Sequence, residues 1–348
     1  MPLQCRPLDA ASAPAWDRFV DAMPNGTFFH RAAWSDIFAR AFRHTPHSVY
    51  VERDGAITGV LPLVHVKTAL FGNTLISSPF CVYGGPLAAD RESFAALNAH
   101  SARVMGETGA TATEYRFRDL PEDGWLEGDW EHKDDLYVTF RKPITTDDDA
   151  NMKAIPRKQR AMVRKGIERG LSSEAGQEVD ALHSVYAESV RNLGTPVFER
   201  RYFRLLADVF RDRMDVVTIR DGGQVVAAVM NFYDRGEVIP YYGGGTETAR
   251  NLAANDFMYW EVMRRAAARG CTMFDFGRSK VGTGAFAFKK NWGFTPQPLL
   301  HRFRLKPGAS VPDHNPLNPK YRLFIAAWKR LPLPVANRLG PMIVRGVG

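Results

Sequence analysis

The chain carries one pattern twice. Thr27, Trp34, Gly55 and Ile57 have counterparts in Thr195, Tyr202, Gly223 and Val225, each displaced by 168 positions. Under that shift VYVERDGAITGVLP at 49–62 aligns with VTIRDGGQVVAAVM at 217–230. Both read as a β-branched run, an Asp-Gly or Gly-Gly turn and a second apolar run, the signature of a β-hairpin. Tyr83-Gly84-Gly85 recurs as Tyr242-Gly243-Gly244, Glu114-Tyr115 as Asp275-Phe276, and YVTFRKP at 137–143 as HRFRLKP at 301–307. Matches that keep their order along the chain point to a duplicated unit. Each copy is expected to run helix, helix, hairpin, a strand ending in Tyr-Gly-Gly, a long helix, a strand and a closing strand. The long helices are expected at 91–106 and 252–269. Strands interleaved with helices predict a three-layer α/β domain with a mixed sheet, twice over.

A length of 348 residues suits two domains. The net charge of +8 permits an acidic or phosphorylated partner without requiring one. Cys5, Cys81 and Cys271 are widely spaced and include no CxxC, so they suggest neither a disulfide framework nor a zinc site. The N-terminal MPLQCRPLDA lacks the apolar centre of a signal peptide, and no apolar run approaches the roughly 20 residues of a spanning helix. A cytoplasmic, reduced protein, at most peripheral to a membrane, is the expectation.

Between the copies, Asp147 to Asp149 suit a helix N-terminus, and Pro156 breaks or kinks the helix they begin. Lys153, Arg157, Arg160 and Arg164 then fall on one helical stripe. That stripe reads either as a ridge facing phosphates or as the solvated face of a bridging helix. After Pro307 the composition shifts to a linker with Asn315-Pro316 and Asn318-Pro319 turns, then an amphipathic helix at 321–330 and a Pro-broken apolar tail. The tail either packs on the core or lies on a membrane surface, with Trp328, Lys329 and Arg330 at its edge.

Candidate chemistry concentrates in FDFGRSKVGTGAFAFKKNWGF at 274–294. A strand ending near Asp275 leads to a loop with Arg278, Ser279, Lys280, Gly282 and Gly284, then to a short helix closed by Gly293. Such a strand–loop–helix can receive an anion or a developing oxyanion, or can be a plain connection. Asp275 reads as a base or as a structural cap, and only one of Lys289 and Lys290 can face a cleft. Tyr241 and Tyr242 precede Gly243 to Gly245, where missing side chains let a ligand approach; Tyr242 reads equally as a core aromatic. Arg200 beside Tyr202 begins a helix and suits a phosphate or carboxylate, and Trp34 occupies the matching place in the first copy. Nothing matches a nucleophile elbow, a zinc-protease helix or a P-loop.

The duplication, the two Tyr-Gly-Gly segments and Asp275-Phe276-Gly277 leading to FKKNWGF at 288–294 resemble the Fem family of double GNAT-like proteins. RKQRAMVRKG at 157–166 and NPLNPKY at 315–321 are similar to the FemAB-related branch found with exopolysaccharide and PEP-CTERM (exosortase) loci. The resemblance implies two tandem GNAT-like three-layer α/β/α domains at 1–145 and 172–310, the second being the active half. A basic helical bridge at 146–171 and a linker and tail at 311–348 complete the plan. It implies an N-acyltransferase that forms an amide in exopolysaccharide or cell-envelope synthesis. The donor would be aminoacyl-tRNA or acyl-CoA, and no metal or bound cofactor is implied. The acceptor would be an amino sugar or a peptidoglycan or polysaccharide precursor, met in the cytoplasm or at the inner face of the cytoplasmic membrane. On this resemblance Lys289 polarises the acyl carbonyl or binds an acidic group and Tyr242 lines the acceptor cleft; the attacking amine loses its proton either to Asp275 or to the substrate's own phosphate. Substrate contacts then come from Arg200, Tyr202, Tyr241, Gly243, Arg278, Ser279, Lys280 and Trp34. The Arg/Gln-x-x-Gly-x-Gly/Ala turn that cradles coenzyme A is one residue too long at 278–284. The alternative is a non-catalytic GNAT scaffold that binds a glycan or lipid-linked precursor.

Overall fold

The structure is a computed structural model that describes residues 3–68, 72–312 and 322–346. The expected Asn-Pro turns of the linker lie outside the described residues. The first half runs β1 (Cys5–Pro7), α1 (Ala13–Ala22), α2 (Ala33–Phe42), β2 (Thr45–Pro46), β3 (Val49–Arg53), β4 (Ala56–Leu61) and β5 (Leu63–Thr68). It continues through β6 (Gly72–Ser77), β7 (Leu87–Ala88), α3 (Arg91–Thr108), β8 (Ala112–Phe117), β9 (Glu131–Lys133) and β10 (Tyr137–Pro143). The connecting segment forms α4 (Asp148–Ala154) and α5 (Arg157–Glu168), separated at Pro156. The second half begins β11 (Ser172–Gly176), α6 (Val179–Leu193), α7 (Arg200–Val209), β12 (Met214–Asp221), β13 (Gln224–Asp234) and β14 (Glu237–Gly245). Next come α8 (Ala249–Leu252), α9 (Ala254–Ala268), β15 (Met273–Asp275), β16 (Ser279–Lys280), α10 (Gly284–Asn291), β17 (Pro296–Pro298) and β18 (Leu300–Leu305). Two helices end the described chain, α11 (Arg322–Trp328) and α12 (Leu333–Val344).

The elements gather into two compact units. Unit 1 takes Met1–Leu136, Leu299–His314 and Arg345–Gly348; unit 2 takes Tyr137–Pro298 and Asn315–Val344. The strand that closes each half of the sequence therefore completes the sheet of the other half. In unit 1 the larger sheet has the order β2-β5-β6-β8-β18-β9, and β6 and β8 are its parallel pair. In unit 2 the order is β11-β12-β13-β14-β15-β10-β16, with β17 also on β10 and with β14 and β15 parallel. A smaller sheet, β1-β3-β4-β7, belongs to unit 1. The halves thus repeat one scheme, in which a parallel pair is flanked by an antiparallel strand from the other half.

Local chemistry accounts for the repeated pieces. The aligned hairpins are β3–β4 and β12–β13, turning at Asp54-Gly55 and Gly222-Gly223, all four with positive φ as a tight hairpin demands. β13 is buried without interruption from Val226 to Phe232, the pattern of a strand covered on both faces. α6 and α9 both pack against β12, β13 and β14. Successive glycines of β14 point to opposite faces: a Cβ on Gly243 would meet Val229, and one on Gly244 would meet Ser189 of α6. α5 lies so close to α9 that a Cβ on Gly166 would sit 2.7 Å from Cβ of Phe257.

Two expectations are corrected. Tyr83-Gly84-Gly85 does not end a strand; β6 stops at Ser77 and the motif lies in the irregular segment after it, where Gly84 packs on the Ser77 carbonyl. Trp34 is fully buried in unit 1, edge-on to Phe28, stacked on Phe38 and bonded through Nε1 to the Phe28 carbonyl at 3.1 Å. It has no surface to offer a substrate.

Two glycines separate these packing effects by sign. Gly166→Leu should destabilise unit 2 by roughly 1–3 kcal/mol through overpacking against Phe257. Gly106→Ala, on an exposed part of α3 with nothing near its missing Cβ, should stabilise by about 0.5–1 kcal/mol. Urea unfolding of the two variants checks both.

Candidate active site

The loop after β15 is held from two sides by opposite charges. Asp275 is fully buried. Its Oδ1 accepts the Gly277 N–H at 2.7 Å and the Thr139 hydroxyl at 3.2 Å, and Arg141 Nε lies 3.5 Å from Oδ2. Thr139 and Arg141 are two apart on β10, so they share one face, and Arg141 is the register partner of Asp275. The Arg141 guanidinium also binds Glu237 at the start of β14. The expected proton acceptor is thus a buried anchor for the turn and offers no surface to a substrate amine.

The cation comes from α10. Thr283 caps this helix by accepting the Phe286 N–H, and Trp292 fixes its far end with an Nε1 bond of 2.8 Å to Asp256 of α9. Gly293 at φ +78° and the Phe294 N–H on the Lys289 carbonyl close it as the Gly-Phe pair predicts. Of the adjacent lysines, Lys290 is exposed. Lys289 turns inward and donates to three consecutive carbonyls, Phe276 at 2.6 Å, Gly277 at 2.9 Å and Arg278 at 3.1 Å. Its ammonium also lies 5.6 Å from the Phe276 ring and 5.8 Å from the Phe140 ring. Burial pushes Lys289 down to about 7, opposed by the Asp275 carboxylate and reinforced by Arg278. An ammonium has three N–H donors, and all three are engaged by its own loop.

Beyond this loop, Arg278 lies over the Tyr137 ring at 4.9 Å, and Lys280 is 5.9 Å from the same ring. Ser279 and Lys280 are buried and form β16 against Val138 and Tyr137. The Ser279 hydroxyl has no hydrogen-bond partner among the described residues. Asp275, Arg278, Ser279, Lys280 and Lys289 therefore form one cluster.

Tyr202, Tyr241 and Tyr242 form another. The Tyr242 hydroxyl is 2.9 Å from that of Tyr202, and its ring meets Tyr186, Phe198, Phe203 and Tyr241 edge to face with centroids 4.7–5.7 Å away. Burial, then the neighbouring tyrosines, drive its hydroxyl well above the ordinary range, so it stays a neutral phenol. Tyr242 is core rather than cleft lining; Tyr241 keeps part of its surface exposed. The three glycines make room for the protein itself, since Val229, Ser189 and the Ala249 and Asn255 side chains fill the missing Cβ positions. Arg200 is exposed at the start of α7, 3.8 Å from Asp180, which Arg204 holds with two bonds.

One feature of the backbone escaped sequence reasoning. β14 and β15 run parallel but pair at only two positions, Glu237 with Met273 and Val238 with Phe274. β14 then passes Pro240, which has no N–H, and a bulge that leaves Tyr241 as the extra residue opposite Met230 and Asn231. It continues to Gly245 paired with β13 alone among the described strands. Past Val238, no strand pairs with β14 on the β15 side among the described residues, and an acyl group in extended form can pair along such an edge. Pro240 within a β-branched and aromatic run was the available sequence signal. On α5, Arg157, Arg160 and Arg164 line one concavity of about 500 Å³ with Ala161 and Glu168, whereas Lys153 belongs to α4.

Residues 152–290 match the family described as acetyltransferase (GNAT) domain. A crystal structure of FemX superposes with a TM-score of 0.68 at 15% identity, covering 92% of this chain and 100% of that one. L-PGS from Bacillus licheniformis gives 0.57 at 10% identity, covering 93% and 96%. A tandem GNAT protein from the clavulanic acid biosynthesis pathway gives 0.54 at 12% identity, covering 89% and 100%. No curated protein sequence matches. Taken with the repeated strand scheme, these likenesses make the chain a mixed α/β protein of tandem GNAT-like architecture that carries a GNAT acetyltransferase domain in its second half.

Proposed function

We propose that unit 2 transfers an aminoacyl or acyl group to an amine, forming an amide on a cell-envelope or exopolysaccharide precursor. The observation that carries this reading is the early end of β14–β15 pairing next to a loop pinned by Lys289. The envelope setting, with the precursor met at the inner face of the cytoplasmic membrane, rests on the resemblance of 274–294 to the FemAB-related branch. The acyl carbonyl would lie against the open edge of β14, and the acceptor amine would attack from the side of the loop. A C–N bond forms, the C–O bond of the donor ester breaks, and the amine proton passes to the departing oxygen. The protein contributes alignment and backbone dipoles. Lys289 would act through the loop whose carbonyls it holds, and Asp275 through the same loop's N–H, both as positioning residues. Of the candidate substrate contacts, Arg200 is exposed, and Tyr241, Gly243 and Arg278 keep part of their surface exposed.

An aminoacyl-tRNA donor suits the chain better than acyl-CoA. Both glycine-rich entries to helices, where a pyrophosphate would seat, are served by the chain's own oxygens. The Glu188 carboxylate accepts the Glu247 N–H at 2.9 Å, and Thr283 caps α10. The arginines of α5 form no ion pair among the described residues and suit a polyanion. A second reading, the non-catalytic scaffold, is favoured by the enclosure of Lys289, Asp275 and Tyr242.

Incubation with labelled aminoacyl-tRNA and amino-sugar acceptors should yield an alkali-stable amide, and binding without turnover would favour the scaffold. Lys289→Met should lower kcat by roughly 10²-fold with KM nearly unchanged. Because the neutral amine leaves one carbonyl unmatched, kcat should fall as pH rises through about 7, and Lys289→Arg should lose that limb. A depressed lysine adds to stability only as pH climbs from about 7 toward its ordinary value. The excess stability of wild type over Lys289→Met should therefore grow across that window in unfolding measurements. Replacing Arg157, Arg160 and Arg164 with Gln should raise KM for tRNA and flatten its salt dependence, while unchanged kinetics would exclude that ridge.

A further inference from the structure

The two C-terminal helices of unit 2 carry large apolar side chains on their exposed as well as their buried sides. In α12 the seam Ala336, Gly340 and Val344 is buried, and a Cβ on Gly340 would lie 2.9 Å from the backbone of Val197. Leu333 joins the cluster of Ala187, Val190 and Val197. α11 is seated on the end of α6, where a Cβ on Gly194 would lie 2.5 Å from Ile325. Trp328, expected at an interfacial edge, is buried instead and stacks on Phe324 at 5.4 Å.

The outward side is the unusual one. Val335, Leu339 and Met342 recur at i, i+4 and i+7 and are all exposed, Met342 to 72%. On α11, Leu323, at 84%, and Phe324 are also exposed, and Leu193, 68% exposed, ends α6, on which α11 is seated. Six of the nine large apolar side chains found exposed among the described residues belong to this one region of the fold. Residues 322–344 contain Arg322, Lys329, Arg330 and Arg338 and no Asp or Glu. Lys329, Arg330 and Arg338 are exposed and make no ion pair among the described residues. Among the described residues, no helix is long and apolar enough to cross a membrane.

We propose that this face, Leu193, Leu323, Phe324, Val335, Leu339 and Met342 with its lysine and arginine rim, docks in the plane of an anionic lipid bilayer. Short helices with an apolar outer stripe and cations but no carboxylates are the elements that seat at a headgroup boundary, the stripe entering the acyl region and the cations meeting phosphates. A second copy fits this surface less well, because isologous pairing would set Lys329, Arg330 and Arg338 against the same cations. RNA fits less well because leucine, valine and methionine offer it no stacking platform. The inference stands apart from acyl transfer, since attachment is read without turnover.

The test is co-sedimentation of the full chain with phosphatidylcholine vesicles, with and without phosphatidylglycerol. Binding is expected to the anionic vesicles, weaker in high salt. The double variant Leu339→Asp, Met342→Asp should lower it by about tenfold or more, and Leu323→Asp, at the most exposed position, should lower it in the same sense. All should keep the wild-type melting temperature. Absence of wild-type binding, or variants that bind as wild type does, would overturn the proposal. So would a dimer that these variants abolish in a wild-type protein indifferent to vesicles.

Discussion

A three-residue loop held between an anion and a cation organises the candidate site. Phe276 gives its N–H to the Phe140 carbonyl and Gly277 gives its own to Asp275, while the carbonyls of Phe276, Gly277 and Arg278 all receive Lys289. A loop of this kind normally leaves its polar backbone to water. Here the two charges replace water, and each is fixed by a different element: Asp275 by Thr139 and Arg141 of β10, Lys289 by a helix tied to α9 through Trp292 and Asp256. The desolvation of Lys289 is the cost of the arrangement, and its lowered pKa expresses it.

The first half repeats the carboxylate at the matching position. Glu114 of β8 stands where Asp275 stands in β15, and it is bound by Arg116 at 2.8 Å and by His301 of β18 at 2.9 Å. Burial would raise this carboxyl, but Arg116 and His301 outweigh it and hold the group below the usual range. A buried carboxylate facing the exchanged closing strand is therefore part of the duplicated plan. Among the described residues, a lysine holding the carbonyls of the following loop is found in unit 2, where Lys289 encloses Phe276 to Arg278.

The part of the structure that can be read from the sequence is set by distance along the chain. The hairpins turning at Asp54-Gly55 and Gly222-Gly223 and the stop at Gly293 are legible because the decisive residues are neighbours in sequence. The duplication is legible for the same reason, being a comparison of short segments. The exchange of β10 and β18 is not, since YVTFRKP and HRFRLKP specify a strand but not the sheet it joins. Residue type also leaves direction open. Lys289 stands out by its motif, yet nothing in FKKNWGF at 288–294 says that its ammonium turns back onto its own loop. Tyr242 and Trp34 stand out beside glycines and at matched positions, and packing buries both. The glycines beside Tyr242 suggest an approaching ligand, whereas Ser189 and Val229 occupy the space.

A crystal structure with an amide-linked analogue joining an aminoacylated RNA end to an amino sugar tests the central claim most directly. The account predicts the acyl carbonyl within hydrogen-bonding distance of the β14 backbone between Tyr241 and Gly245, with Lys289 still on the carbonyls of Phe276 to Arg278. An analogue bound in unit 1, or in unit 2 away from both β14 and that loop, would contradict it.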